Sequence, residues 1–236
     1  IINIMYYLLK QKNQMNLEDQ CLLILWQRIK MKYHNISENI IGCKEFIPSQ
    51  EYDLILKDIL NNRHLFNVPS WTNKKELFSE ACGGLDFWIS KDNEKEINAP
   101  TIKNLKGWFF HQGLFHYLAQ RKEKNVFDLL YKNFEWDIHV ISYNNKGYYN
   151  WHCDGTKNNL FTFNLIINPH SSLLGGEQLF MDKNDIIETP NEDNSLFIFP
   201  TYIPHAIKPL KSKNNKDVAF LEQRFSIQYW CRLADV

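Results

Sequence analysis

Within the stretch NNKGYYNWHCDGT (residues 144–156), His152 and Asp154 stand two residues apart. On a strand such a pair shares one face, so an imidazole and a carboxylate would reach toward the same point, with Trp151 and Cys153 on the other face. A lone His-x-Asp triplet is weak evidence, because with 8 histidines in 236 residues one arises by chance about as often as not. Fifty residues further on, FPTYIPHAI presents His205 at the start of another apolar run. Two imidazoles and a carboxylate can occupy one face of an octahedral ferrous ion. The opposite face then stays open for a bidentate ligand and O₂. A zinc hydrolase draws on similar donors, so spacing alone does not choose the metal.

A fourth residue narrows the choice. In EQRFSIQYWCR (222–232), strand parity puts Arg224, Ser226, Gln228 and Trp230 on one face, and Phe225, Ile227, Tyr229 and Cys231 on the other. A guanidinium turned into an aromatic-lined interior is costly unless an anion meets it, and a carboxylate is its geometric match. That carboxylate belongs either to an internal Asp or Glu, or to a dicarboxylic cosubstrate.

The order of these motifs resembles the catalytic core of the Fe(II)- and 2-oxoglutarate-dependent dioxygenases, most closely their prolyl-hydroxylase-like branch. Tyr143, Gly147, Tyr149, His152 and Asp154 match its opening; LFTFNLIIN (160–168), GGEQLF (175–180), ETPNEDNSLFIFP (188–200), His205 and RFSIQYW (224–230) match the rest. The likeness covers residues 136–232 and extends weakly to 43–59. It implies a double-stranded β-helix, or jelly roll, holding Fe(II) through His152, Asp154 and His205. Arg224 would bind the distal carboxylate of 2-oxoglutarate, with Ser226 and Tyr143 as further cosubstrate contacts and ascorbate as a reductant. The implied reaction hydroxylates an aliphatic C–H of an amino acid or peptidyl residue, proline favoured, and releases succinate and CO₂. The acidic residue at 154 favours hydroxylation over halogenation. Two departures stand out: eighteen residues separate His205 from Arg224, read as a longer hairpin, and Leu165 and Ile166 stand where relatives often supply a tyrosine to the cosubstrate.

The elements that must position these residues divide the chain into a helix-rich support (1–135) and a β-rich core (136–236) of one oxygenase domain, an α+β architecture with a mainly β core. Helices are expected over 17–32, from Pro48-Ser49 to Asn61-Asn62, and through most of 108–134. The second should bury Tyr52, Ile55, Leu56, Ile59 and Leu60. Strands are expected at 40–47, at LDFWIS (85–90), and at seven short runs after Trp136 separated by turn signals. Gly147 is expected to serve a turn needing positive φ, and Gly175 and Gly176 are expected to be structural. His139 shares Tyr143's face and is expected to be a satisfied core histidine. His111 and His116, five apart, are not expected to be ligands.

Composition bounds the partners. Zero net charge and no dense basic stripe weigh against a dedicated nucleic-acid binder. An odd, scattered set of five cysteines without a C-x-x-C pair argues against a disulfide framework and for reduced thiols in the cytoplasm. The apolar N-terminal stretch is too short to span a bilayer and lacks the marks of a signal peptide. Substrates are therefore expected among small molecules or peptides, without a membrane. Two other functions compete: an oxygenase of nucleic-acid bases, which would carry a second arginine where Trp230 stands, and a non-catalytic β-helix protein that binds a ligand or partner.

Overall fold

The computed structural model describes residues 33–68, 84–111, 113–121, 125–132, 134–155, 158–170 and 172–234. The helix expected over 17–32 lies outside them. Strands β1 (Tyr33–Asn35) and β2 (Ile41–Cys43) precede helix α1 (Ser49–Asn61), strand β3 (Gly84–Ile89) and helices α2 (Pro100–His111) and α3 (Leu114–Ala119). There follow β4 (Phe134–Tyr143), β5 (Tyr149–His152), β6 (Asn159–Ile167), β7 (Leu173–Gly175), β8 (Gln178–Asp182), β9 (Asp185–Thr189), β10 (Ser195–Pro200), β11 (His205–Ile207), β12 (Leu210–Ser212) and β13 (Arg224–Leu233). Among the described residues no helix is long and apolar enough to cross a membrane.

Seven strands form the larger sheet in the order β1-β2-β10-β6-β13-β4-β3; four form the smaller, β5-β11-β8-β9; and β12 pairs with β7. This is the expected jelly roll. The larger sheet is apolar on its helix-facing side because strand parity puts Phe161, Phe163, Leu165 and Ile167 of β6 and Phe225, Ile227, Tyr229 and Cys231 of β13 on that side, with Thr162, Asn164, Arg224, Ser226 and Gln228 on the other. That face packs on Ile55, Ile59, Ile102, Leu105 and Phe109, all fully buried. Phe109 anchors the contact, its ring 4.8 Å from both Phe163 and Tyr229. Asp58, buried on α1, accepts from the backbone N–H groups of Thr101 and Ile102 at 2.7 and 3.0 Å. It thus caps α2, whose first residue, Pro100, has no N–H to satisfy.

Helix α1 runs as expected, except that Tyr52 and Leu56 are only partly buried, Leu60 is exposed and Asp58 takes a buried place. The long helix expected over 108–134 is instead three pieces. Helix α2 begins at Pro100, Gly113 at φ +85° starts the short α3, and a 3₁₀ segment, Val126–Tyr131, is capped by the Asn125 side chain before β4 begins at Phe134. The apolar spacing continues across these breaks, which is why it read as one helix. The extra residues between β11 and β13 do not make one longer hairpin: β12 pairs with β7, and a 3₁₀ turn at Phe220–Glu222 leads into β13.

The β4–β5 turn also differs in detail. Positive φ falls on Lys146 (+66°), not on Gly147. Gly147 is required by crowding, since a Cβ there would sit 2.9 Å from the Asn144 carbonyl oxygen and 3.1 Å from the Tyr143 Cβ. Gly175 and Gly176 are structural as expected, both at positive φ; a Cβ on Gly175 would meet Pro209 and Leu210, and one on Gly176 would meet Leu210 and Asn191.

Candidate metal and cosubstrate site

The two sheets hold the chemistry between them. On the larger sheet, register places Tyr143, Ile141 and His139 of β4 beside Arg224, Ser226 and Gln228 of β13. Ile166, Asn164 and Thr162 of β6 flank Ser226, Gln228 and Trp230 on the other side. All point inward, away from the helices. On the smaller sheet His152 of β5 and His205 of β11 are direct cross-strand partners. Strand β5 ends at His152, so Asp154 lies in the connection that follows rather than on the same strand. It still reaches the two imidazoles, because Thr162 on β6 donates its hydroxyl to Asp154 Oδ2 at 2.7 Å and draws the carboxylate between the sheets.

The outcome is a three-ligand cluster. Asp154 Oδ1 lies 3.6 Å from His152 Nε2, and Oδ2 lies 3.5 Å from His205 Nε2. One ligand atom from each of the three residues falls within 4.8 Å of the other two. Both imidazoles are oriented in the same manner. His152 Nδ1 sits 2.8 Å from the Asn150 carbonyl, and His205 Nδ1 sits 3.0 Å from the Ile203 carbonyl. A carbonyl only accepts, so each Nδ1 carries the proton and each Nε2 presents its lone pair. Both Nε2 atoms are buried and have no hydrogen-bond partner. Burial pushes the His205 imidazole down to about 4, against the pull of Asp154, so it is neutral at pH 7. Burial disfavours the Asp154 charge, but His205, His152 and the Thr162 hydroxyl outweigh it and hold the carboxyl below the usual range. Two imidazoles turned to present Nε2 and one carboxylate, with a donor atom from each brought close together, fit a divalent metal. The Tyr149 ring stacks on His152 at 3.7 Å and steadies it.

Arg224 is completely buried. Its Nε donates to Asn191 Oδ1 at 3.0 Å, its Nη1 donates to Ser226 Oγ at 2.8 Å, and its guanidinium carbon lies 5.2 Å from the centre of the Tyr143 ring. These two bonds orient the guanidinium. Tyr143 is buried among Ile141, Leu173, Ile207 and Leu210, with its ring serving as a floor under the arginine.

His139 is mostly buried and pairs through Nε2 with Asp86 Oδ2 at 2.7 Å. Its ring stacks on Trp88 at 3.9 Å, and Trp230 meets Trp88 edge-on at 4.8 Å. The side chains of His111 and His116 lie outside the described set. Residue-by-residue reading missed Thr162, Asn191 and the facing pair Asn164 and Gln178. The signal for Thr162 and Asn164 was present: they are the polar positions in a strand whose alternate residues are Phe161, Phe163 and Leu165.

Comparison with known proteins agrees with this geometry. Residues 138–232 match the profile of the 2OG-Fe(II) oxygenase superfamily. No curated protein matches the chain in sequence. Among solved structures, a prolyl hydroxylase from Trichoplax adhaerens in complex with a hypoxia inducible factor peptide fragment is similar with a TM-score of 0.61 and 15% identity. That match covers 93% of this chain and 94% of the other. A Pseudomonas putida prolyl-4-hydroxylase is similar at 0.55 and 16% identity, over 84% and 94% of the two chains. OsALKBH1 is similar at 0.57 and 16% identity, over 86% and 100%. At such identities the structural likeness speaks for the fold. The matched family implies Fe(II) and 2-oxoglutarate as cofactors, and the cluster of His152, Asp154 and His205 could bind the iron. Residues 138–232 thus carry the profile of the 2OG-Fe(II) oxygenase superfamily on a prolyl-hydroxylase-like fold, and together these support a 2-oxoglutarate-dependent oxygenase.

Proposed function

We propose that this oxygenase hydroxylates an aliphatic C–H of an amino acid or peptidyl residue, with proline favoured, and releases succinate and CO₂. The observation that carries the reading is the pair of imidazoles whose buried Nε2 atoms converge with Asp154, set across the barrel from a buried arginine. In this reading His152, Asp154 and His205 hold the iron, which supplies oxygen activation when bound. Arg224 binds the distal carboxylate of 2-oxoglutarate. Ser226 and Asn191 fix the plane of its guanidinium, and Tyr143 supports it from below and contacts the cosubstrate. Thr162 keeps the Asp154 carboxylate turned toward the imidazoles.

The peptide held by the Trichoplax adhaerens relative supports a peptidyl substrate. The likeness to OsALKBH1 gives a base-oxidising alternative similar support from the fold. Neutral net charge and Trp230, standing where that alternative would carry a second arginine, favour the peptidyl reading. None of Cys43, Cys153 and Cys231 is disulfide-bonded, in keeping with a reducing compartment such as the cytoplasm.

Two measurements test the proposal. Fe(II) followed by 2-oxoglutarate, added anaerobically, should produce a weak visible charge-transfer band in wild type and not in His152→Ala. Succinate release with proline-containing peptides should require iron and fall to background in Arg224→Ala. Full turnover in Arg224→Ala would mean that the cosubstrate's carboxylate is bound elsewhere.

A further inference from the structure

Midway between the triad and Arg224, the two sheets are bridged by a pair of amides. Asn164 of β6 donates through Nδ2 to Gln178 Oε1 of β8 at 2.7 Å, and both residues are fully buried. Their level in the barrel is fixed independently on each sheet. On the larger sheet Asn164 stands two residues beyond Thr162, which holds Asp154, and two before Ile166, the neighbour of Arg224's partner Ser226. On the smaller sheet Gln178 pairs with Ile207, two residues beyond His205. Two residues of strand are roughly 7 Å. The bridge therefore crosses the barrel one row below the metal cluster and above the arginine.

The bridge is incompletely satisfied. Gln178 Nε2 and Asn164 Oδ1 are buried without a hydrogen-bond partner. Whichever way the two amides are turned, their mutual bond leaves one NH₂ group and one carbonyl over. Buried polar groups of this kind cost free energy unless something meets them, and an apolar pair would have closed the gap without that cost. A dianionic 2-oxo acid offers only acceptors. It can answer the spare NH₂.

We propose that Asn164 and Gln178 form a positioning bridge whose spare N–H donates to 2-oxoglutarate as it lies between the triad and Arg224. This rests on the reading of those residues as the cosubstrate site. A donor fixed between two sheets reads where along its length the acid carries its acceptor atoms. The bridge is thereby a selector of keto-acid length as well as a source of affinity.

The test is equilibrium binding of 2-oxoglutarate, and of the shorter oxaloacetate and longer 2-oxoadipate, to protein loaded with Mn(II), which does not turn over. Asn164→Leu/Gln178→Leu removes both amides together and so leaves no orphan. It should weaken 2-oxoglutarate by roughly 10- to 100-fold, the loss of one hydrogen bond to a charged group. It should also narrow the preference over the other two acids, while Mn(II) affinity and melting temperature hold. Gln178→Met, close in volume, should give a smaller loss in the same direction and serves if the double variant folds poorly. Affinity and selectivity unchanged in a folded variant would overturn the bridge and leave the site reading intact. Wild type that binds Mn(II) but no 2-oxoglutarate, indistinguishable from Arg224→Ala, would overturn both.

Discussion

The barrel contains two buried histidine–aspartate constellations on facing walls, and they are built to opposite ends. In the triad each imidazole is tied at Nδ1 to a carbonyl two residues earlier in its own chain, leaving Nε2 bare toward a carboxylate 3.5 or 3.6 Å away. On the other wall His139 is held at Nε2 by Asp86 at 2.7 Å and lies flat on Trp88. In the first case the separations are too long for good hydrogen bonds and suit donors that share an ion. In the second the imidazole and carboxylate bond directly to each other, and the ring's faces are used for packing. The same two residue types thus make a candidate ligand set or a wall. What separates them is which nitrogen the local backbone occupies and how far away the carboxylate is kept.

Substitutions can break this contrast. The largest effect is expected from Asp154→Ala, which should abolish Fe(II) and Mn(II) binding in an anaerobic titration, since among the described residues no other carboxylate joins the two imidazoles in the cluster. Retention of metal would sink the ligand assignment. Asp86→Ala is its counterpart on the far wall. It strips a buried imidazole of its partner and should cost about 3 kcal/mol in chemical denaturation while metal affinity stays within about twofold. A collapse of metal affinity there would mean that the wall is part of the site. Thr162→Val removes an outer partner of Asp154 and keeps its shape, and should weaken metal roughly tenfold. Smallest is the double replacement Asp86→Leu/His139→Phe, which trades the buried pair for apolar groups beside Trp88. Stability should change by less than about 1.5 kcal/mol; a much larger loss would show that the pair does more than pack.

The contrast also explains what the sequence disclosed. His152, Asp154, His205 and Arg224 were legible because each lies on or next to a short strand with clear alternation, and because their order along the chain is itself a pattern. His139 was legible as a core residue from its parity with Tyr143, but Asp86, its partner, is 53 residues away on a different strand. The contacts that finish the site, Thr162 to Asp154, Asn191 to Arg224 and Asn164 to Gln178, join segments whose approach is decided by how one sheet closes on the other. Strand parity could say that Thr162 and Asn164 face inward, not what they meet. The helical half was less legible for a local reason. Gly113 and Asn125 interrupt the helix between 108 and 134 through backbone conformation and capping, while apolar residues continue at helical spacing on both sides. Gly147 carried the right residue for a different reason: the crowding comes from Asn144 and Tyr143, and the positive φ from Lys146.

Strand β13 holds Arg224 and Ser226, and it lies in the middle of the larger sheet, bonded along nearly its whole length to β4 on one side and β6 on the other. It is also the last of the described strands in chain order. During synthesis β4 and β6 therefore emerge well before the strand that separates them, and each meanwhile exposes a bare edge of backbone donors and acceptors. These pairings are distant in sequence and form late, so the nascent chain passes through a window in which β4 and β6 can pair wrongly with each other or with another copy. The protein's vulnerability to aggregation should thus be concentrated in the interval before residue 233 is available, and a chaperone that shields β4 and β6 should raise its yield more than one acting on the finished fold.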